Sequence, residues 1–264
     1  MTHWKDFARR NAAYSPPLRP SKDVVEAITK IVGAPQGSTL LLGVTPELAL
    51  AFDNVLAVDK SREMISTVWP GDSGQRRASC GDWLELDLAP GSIDRIVGDG
   101  SLNNIPDPNA VTRLLSDCLE WLAPAGRFAC RVFERPARPF TEADITSRAA
   151  PGDQFNFHAL KWMIAMHLAE RASGVVAVES IRSMFQYLFP GRVELGKRTG
   201  WSIESIDTID VYRNSDLVYY FPNREELLDL IPRAATSVKV SESGNYPLSH
   251  CCPIYSFAKN SESH

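Results

Sequence analysis

Short apolar runs alternate with amphipathic segments over residues 21–133 of the chain. Apolar runs of strand length that leave no face for water are typical of a parallel sheet covered on both sides. The chain contains five such runs, and each predicts a strand: TLLLG (39–43), NVLAVDKS (54–61), the weaker RRASCGDW (76–83), SIDRIVGDGS (92–101) and GRFACRVF (126–133).

Helix signals stand between these strands. Ser21 is a typical N-cap for an amphipathic helix that ends at Gly33. Thr45 and Pro46 predict a second helix, with a hydroxyl cap and a proline in the first turn, and further helices are expected from Ser61 and over 107–124, where Pro124 ends the helix. The alternation of strand and helix predicts an α/β fold with a doubly wound, Rossmann-like and mostly parallel sheet.

The second half of the chain is less regular and predicts a helical insert. Helices are expected at 141–150, 154–173, 178–189 and 223–231, a strand at 201–212 because polar and apolar residues alternate there, and a closing strand at 251–259. We therefore expect a single domain over 1–264. Its parts are an N-terminal arm (1–20), a ligand-binding core (38–133) and cap segments at 134–200 and 212–249.

The amino-acid composition limits the partners, metal sites and cellular location that can be expected. The chain has 264 residues, 44% hydrophobic and 23% charged, and a net charge of −4, so neither a nucleic acid nor a membrane is expected as partner. The five cysteines form no C-x-x-C pair, so neither a disulfide framework nor a metal site is expected. No apolar run approaches membrane-spanning length and the N-terminus shows no signal-peptide pattern, so we expect a cytoplasmic protein.

The turn after the first strand constrains the ligand. Gly43 lies at the carboxyl end of that strand, where a doubly wound sheet binds its ligand. Glu47 would bring a carboxylate close to the two phosphates of a dinucleotide, which is repulsive. A cationic ligand such as a sulfonium tolerates that acid, so the turn favours a sulfonium over a dinucleotide.

Residues 38–133 resemble the class I S-adenosylmethionine-dependent methyltransferase superfamily. Five successive segments carry the resemblance: LLLGVTPEL, VLAVDKSREMI, GDWLEL, DRIVGDGSLNNI and WLAPAGRF. The chain departs from the family at Leu41, where the family has an acid, and at Thr45 and Glu47, where it has glycines. The resemblance implies S-adenosylmethionine as the cofactor, with Asp59 binding the ribose hydroxyls, Asp82 the adenine amino group, and Trp83 flanking the ring.

The residues of the predicted cofactor site are spread along the first half of the chain. They are Tyr14, Arg19, Gly43, Val44, Thr45, Glu47, Asp59, Lys60, Met64, Gly81, Asp82, Trp83, Asp99, Gly100 and Ser101. Asp99 faces either the cofactor or the substrate. Tyr14 and Arg19 either reach the cofactor carboxylate or belong to a packed arm.

Candidate catalytic groups come from the second half. His158 and His167 are nine residues apart on one predicted helix, so at about 100° per residue they lie on opposite faces and only one can face a pocket. His158 is the candidate general base, and Glu134, just after the fifth strand, is a second candidate.

These residues predict a methyltransferase that acts on a small molecule by in-line transfer. Two alternatives remain open: an enzyme that cleaves or cyclises S-adenosylmethionine, and a non-catalytic partner subunit that has lost cofactor binding. The acceptor atom and the oligomeric state are not determined by the sequence.

Overall fold

The computed structural model describes residues 5–6, 10, 13–34 and 36–261, so parts of the predicted N-terminal arm (1–4, 7–9 and 11–12) lie outside the described residues. The strands are β1 (Ser38–Leu42), β2 (Asn54–Asp59), β3 (Arg76–Cys80), β4 (Ile93–Asp99), β5 (Leu122–Arg131), β6 (Val175–Ala177), β7 (Val218–Tyr220), β8 (Thr236–Ser241) and β9 (Ile254–Ala258). The α-helices are α1 (Lys22–Val32), α2 (Pro46–Ala49), α3 (Arg62–Val68), α4 (Pro108–Trp121), α5 (Glu142–Ser147), α6 (Phe157–Glu170), α7 (Val178–Leu188), α8 (Arg192–Thr199), α9 (Ile203–Asp207) and α10 (Arg224–Leu230).

The main sheet has seven strands in the order β3-β2-β1-β4-β5-β9-β8. Strands β1 to β5 are parallel, β9 runs antiparallel to β5, and β8 runs antiparallel to β9. The order reverses between β1 and β4, which creates a crevice at the carboxyl end of β1. The prediction of a doubly wound, mostly parallel sheet is confirmed.

Helices cover both faces of this sheet. On one face, α1 buries Val24 and Ile28 in a cluster with Leu41 of β1. On the other face, α4 buries Leu114 in a cluster with Leu40, the neighbouring residue of the same strand. Successive residues of β1 thus enter opposite cores, which explains its unbroken apolar run.

The predicted helical insert packs around α6. Every residue from Phe157 to His167 is buried, so this stretch of the helix is enclosed by protein on all sides. Its neighbours include α7 and the small sheet of β6 and β7, which pair antiparallel. The helices expected at 141–150, 154–173, 178–189 and 223–231 and the closing strand at 251–259 are all confirmed.

The strand expected at 201–212 is wrong. This segment forms α9 and then a 3-10 helix, Thr208–Tyr212. The Ser202 side chain caps α9 by accepting a hydrogen bond from the backbone N–H of Ser205 (3.1 Å). Ile206 and Ile209 are fully buried, and their spacing of three places both on one helical face. Helical capping therefore prevailed over the alternation of polar and apolar residues.

Among the described residues, no helix has both the length and the apolar character needed to cross a membrane.

Candidate functional site

A cleft opens at the carboxyl ends of β1, β2 and β4, where the strand order reverses. Its empty space, counted out to the open mouth, is about 870 Å³. The residues that line it are Leu18, Arg19, Pro20, Leu42, Gly43, Val44, Thr45, Pro46, Glu47, Asp59, Met64, Val68, Trp83, Asp99, Gly100, Ser101, Asn103, Asn104, Phe133, Trp162 and Tyr219. Eleven of the predicted cofactor residues are among them: Arg19, Gly43, Val44, Thr45, Glu47, Asp59, Met64, Trp83, Asp99, Gly100 and Ser101.

Gly43 shapes the turn between β1 and α2. Its φ of +108° is rarely adopted by residues with a side chain, and its backbone N–H donates to the carbonyl oxygen of Val58 (2.8 Å). A Cβ at Gly43 would meet only Asp59 Oδ2, at 3.9 Å. The backbone of this turn is thus open toward the cleft, next to a carboxylate.

The helix that follows starts differently from the prediction. Pro46 does occupy the first turn of α2, but the Thr45 side chain makes no capping hydrogen bond. The expected hydroxyl cap is therefore wrong. Pro46 sets the backbone for the helix without it, since its φ is fixed by its ring.

Asp59 ends β2 inside the cleft. Its Oδ1 accepts a hydrogen bond from the backbone N–H of Ser61 (2.8 Å), while within the described ranges no donor reaches Oδ2. Burial raises the pKa of Asp59 to about 6, and the Ser61 N–H opposes that rise. Among the described residues, this partly buried carboxylate has one vacant oxygen and no cation beside it, so it can accept hydrogen bonds from a ligand.

Glu47 and Arg19 form an ion pair across the cleft mouth. Arg19 Nε donates to Glu47 Oε1, and it joins the N-terminal segment to the start of α2. Glu47 Oε2 is buried and has no hydrogen-bond partner in the part of the chain that the structure describes. The pair therefore presents an unsatisfied acceptor and a guanidinium side by side.

Asp99, at the end of β4, is already paired. Arg131 donates to it from Nε and from Nη2 (3.0 Å), and both side chains are buried. Asp99 therefore contributes to the cleft wall as half of an ion pair.

Trp83 is held at the cleft by β2. Its indole N–H donates to the carbonyl oxygen of Val58 (2.6 Å), which fixes the plane of the ring. Asp82 lies outside the cleft because its Oδ1 caps the turn at Leu84 (3.1 Å) and its Oδ2 pairs with Lys60 (2.7 Å).

Four predicted cofactor residues are not brought to the cleft: Tyr14, Lys60, Gly81 and Asp82. Tyr14 is buried in the insert, with its ring edge-on to His158 (5.4 Å between centroids). Lys60 is turned toward Asp82, and Gly81 lies at the base of the turn that Asp82 caps.

The insert contributes an aromatic wall. Trp162 packs against Phe133 (5.2 Å between ring centroids) and edge-on against Tyr219 (5.5 Å). Asn103 supports this wall: its amide donates to the carbonyl oxygens of Phe133 (2.8 Å) and Tyr220 (2.7 Å).

Sequence reasoning did not predict several cleft residues. Those absent from the predicted site are Leu18, Pro20, Leu42, Pro46, Val68, Asn103, Asn104, Phe133, Trp162 and Tyr219. Phe133 and Asn103 follow the carboxyl ends of β5 and β4, and that position was the available signal. In sequence, Trp162 and Tyr219 carry no signal that separates a cleft wall from the packed core of the insert.

Neither candidate catalytic residue lines the cleft. His158 Nε2 donates to the carbonyl oxygen of Ala13 (2.9 Å), and burial, with nearby Lys161, lowers the pKa of His158 to about 3. Glu134 accepts hydrogen bonds from Tyr255 and from Arg224 Nη2 (2.7 Å). Both side chains are used in structural contacts, so the geometry places no proton acceptor of this pair beside a bound ligand.

The two histidines of α6 point to different neighbours, as their spacing predicts. His167 Nδ1 donates to the carbonyl oxygen of Phe140 (2.6 Å), away from the N-terminal segment that His158 contacts. The described residues contain no group of three or more His, Cys, Asp or Glu side chains that could hold a metal ion.

No protein-family model matches the chain, and no curated protein matches it. Several solved structures, however, do match it. A SAM-dependent methyltransferase from Methanosarcina mazei is 15% identical with a TM-score of 0.52, over 89% of this chain and 98% of that one. The N-methyltransferase NodS from Bradyrhizobium japonicum, solved with S-adenosylhomocysteine, is 12% identical with a TM-score of 0.52, over 97% and 98%.

A third similar structure carries a different name. It comes from Rhodobacter sphaeroides, bears the name of a Zn-dependent alcohol dehydrogenase, and is 12% identical with a TM-score of 0.56, over 97% of this chain and 98% of that one. At such low identities these likenesses show the fold alone. That fold is the one of the class I SAM-dependent methyltransferases.

Proposed function

We propose that this chain, which has the class I methyltransferase fold, is an S-adenosylmethionine-dependent methyltransferase acting on a small molecule. The observation that carries the proposal is Asp59: a partly buried carboxylate at the end of β2, with one oxygen that no donor of the described residues reaches, beside the open turn at Gly43. Ribose hydroxyls are donors that would satisfy this carboxylate, and they would also relieve the unfavourable burial of its charge.

The rest of the cleft fits the cofactor as well. Trp83 offers a fixed aromatic face next to Asp59, suited to a purine ring. Glu47 and Arg19 together present a negative carboxylate and a positive guanidinium at the mouth. An amino-acid end carries an ammonium and a carboxylate, so this pair matches it in charge.

Bound S-adenosylmethionine would supply an activated methyl group for in-line displacement. The chain's own part is then to bind, orient and exclude water. The aromatic wall of Phe133, Trp162 and Tyr219 would exclude water from one side of the cleft, and Leu18 and Pro20 add apolar surface to its lining. These walls support a small acceptor over a macromolecular one.

Calorimetry with S-adenosylmethionine and S-adenosylhomocysteine, followed by product analysis, tests the proposal. We expect both to bind, and turnover with an acceptor to release S-adenosylhomocysteine. Binding with release of another product would support a cleaving or cyclising enzyme. Binding of neither would support a non-catalytic partner subunit and would refute the proposal.

A further inference from the structure

A buried lysine lies behind the aromatic wall. Lys161 is 1% exposed, and in the described ranges its ammonium has neither a hydrogen-bond partner nor a carboxylate. It faces three aromatic rings, with Nζ 4.8 Å from the ring centroid of Tyr212, 5.4 Å from that of Tyr14 and 6.0 Å from that of Phe157. Such rings attract a cation but do not replace an anion.

Two tyrosine rings lie between Lys161 and the cleft. The ring of Tyr212, over which the Lys161 ammonium lies, is edge-on to the ring of Tyr219 (6.3 Å between centroids), and Tyr219 lines the cleft. Trp162, the next residue of α6, also lines the cleft, and its indole N–H is buried without an acceptor among the described residues. Within the described residues, an ammonium and an indole N–H that both lack an acceptor therefore lie on adjacent residues of the helix that lines the cleft through Trp162.

A buried group of this kind is complementary to one ligand chemistry. Burying an ammonium without a counter-ion is unfavourable, and an anion placed nearby removes that cost. A planar ring suits the walls formed by Phe133, Trp162 and Tyr219.

We propose that the acceptor is a small aromatic acid, with its ring against the aromatic wall and its carboxylate toward the Tyr219 side, where Lys161 supplies the charge. This inference rests on the proposed function, since it names the acceptor class of the same cleft. Lys161 acts here as a positioning residue through its charge. The carboxylate anchors the acceptor, and the methylated atom is another atom of the same molecule.

The protonation of Lys161 gives the proposal a second readout. Burial lowers the pKa of Lys161 to about 7. The titratable groups that face it are Tyr14 from the N-terminal segment, His158 from its own helix and Tyr212 from the 3-10 helix, and Asp6 and Arg10 act on Tyr14. The tyrosines have a pKa raised by burial and His158 a lowered one, so among these described groups it is Lys161 that changes charge near neutral pH.

The test compares three ring compounds of one size in the presence of saturating S-adenosylhomocysteine: benzoate, benzamide and benzylamine. Ligand-observed NMR titration gives their affinities for the full chain and for Lys161→Met and Lys197→Met. Lys197 is an exposed lysine of α8 and serves as the matched control. We expect wild type to prefer benzoate over benzamide by about tenfold, the preference to vanish in Lys161→Met, and Lys197→Met to keep it.

Wild type alone supplies a readout that does not depend on the folding of a variant. Benzoate affinity should fall as pH rises from 7 to 9, because Lys161 loses its charge, while benzamide affinity stays constant. A preference for benzylamine, no preference in wild type, a preference that survives in Lys161→Met, or a flat benzoate profile would each overturn the inference. Failure of S-adenosylhomocysteine itself to bind would instead overturn the proposed function.

Discussion

Asp99 and Arg131 are register partners on adjacent parallel strands, β4 and β5, and their side chains form a two-point ion pair with 4% and 0% exposure. The guanidinium also donates to the carbonyl oxygen of Pro17 (2.8 Å) and to the hydroxyl of Tyr246 (2.9 Å). One buried side chain thus joins the sheet to the N-terminal segment and to the loop before β9. Arg131 also pairs with the Asp99 carboxylate, which would otherwise be free to accept a proton in the cleft.

Replacing Arg131 with methionine should cost about 3–5 kcal/mol in the free energy of unfolding, since Asp99 would be left buried without a partner. Urea denaturation measures it. Arg127, an exposed arginine of the same strand, gives the matched control, and Arg127→Met should change stability by less than about 1 kcal/mol. Adding Asp99→Asn to Arg131→Met should recover part of the loss. Equal stability of Arg131→Met and Arg127→Met would show that the pair contributes nothing.

Replacing Asp59 with alanine should weaken the binding of S-adenosylhomocysteine by about ten- to a hundredfold, because charge-assisted hydrogen bonds to the ribose are lost. Calorimetry gives the dissociation constants. Asp53, an exposed residue just before β2, is the control, and Asp53→Ala should bind as wild type does. An unchanged constant for Asp59→Ala would remove the ribose assignment.

Cofactor affinity should depend on pH near 6. Ribose hydroxyls favour the charged carboxylate, so binding lowers the pKa of Asp59 from its free value of about 6. Affinity should therefore rise with pH up to about 6 and level off above it, and Asp59→Asn should show a flat profile. Calorimetry between pH 5 and 8 measures this dependence.

The ligand-free protein should respond to pH with the opposite sign. A folded-state pKa above the unfolded one favours the protonated carboxyl in the fold, so this contribution to stability is lost as pH rises through about 6. Thermal denaturation of both proteins across this range measures the loss: wild type should lose stability relative to Asp59→Asn as pH rises, because His158 titrates equally in both. A loss of the same size in Asp59→Asn would assign it to another group.

Comparing Gly43→Ala with Gly33→Ala separates the effect of backbone strain on stability from the effect of an added side chain on ligand binding. Both glycines have a positive φ, +108° and +88°, so alanine should cost about 1–2 kcal/mol at each site. Gly43 lines the cleft, whereas Gly33 ends α1 with no atom within 4 Å of an added Cβ. Only Gly43→Ala should therefore weaken S-adenosylhomocysteine binding. Calorimetry and urea denaturation give the two quantities, and equal affinities for both variants would contradict a close approach at Gly43.

Local sequence signals predicted the sheet because they act within one element. The apolar run of β1 predicts burial on both faces, and Ser21 and Ser61 do cap the helices that they precede. Asp59 and Gly43 could be placed at the site because both lie at carboxyl ends of strands, which a doubly wound sheet gathers at one edge.

Long-range pairing was beyond the reach of such signals. Nothing near Asp82 in sequence indicates that Lys60 would turn toward it, and nothing near Glu134 indicates Arg224. A carboxylate near a strand end looks the same in sequence whether it is vacant like Asp59 or paired like Asp99. Whether such a carboxylate is vacant depends on a partner side chain, and the partners come from distant segments of the chain.

The cleft draws its walls from both ends of the chain, Leu18 near the start and Tyr219 far beyond the parallel strands. During synthesis, at about 5–20 residues per second, β1 to β5 leave the ribosome before Tyr219 has been made. A small molecule that needs the finished cleft cannot act as a template for the nascent sheet, and it can hold only the completed chain.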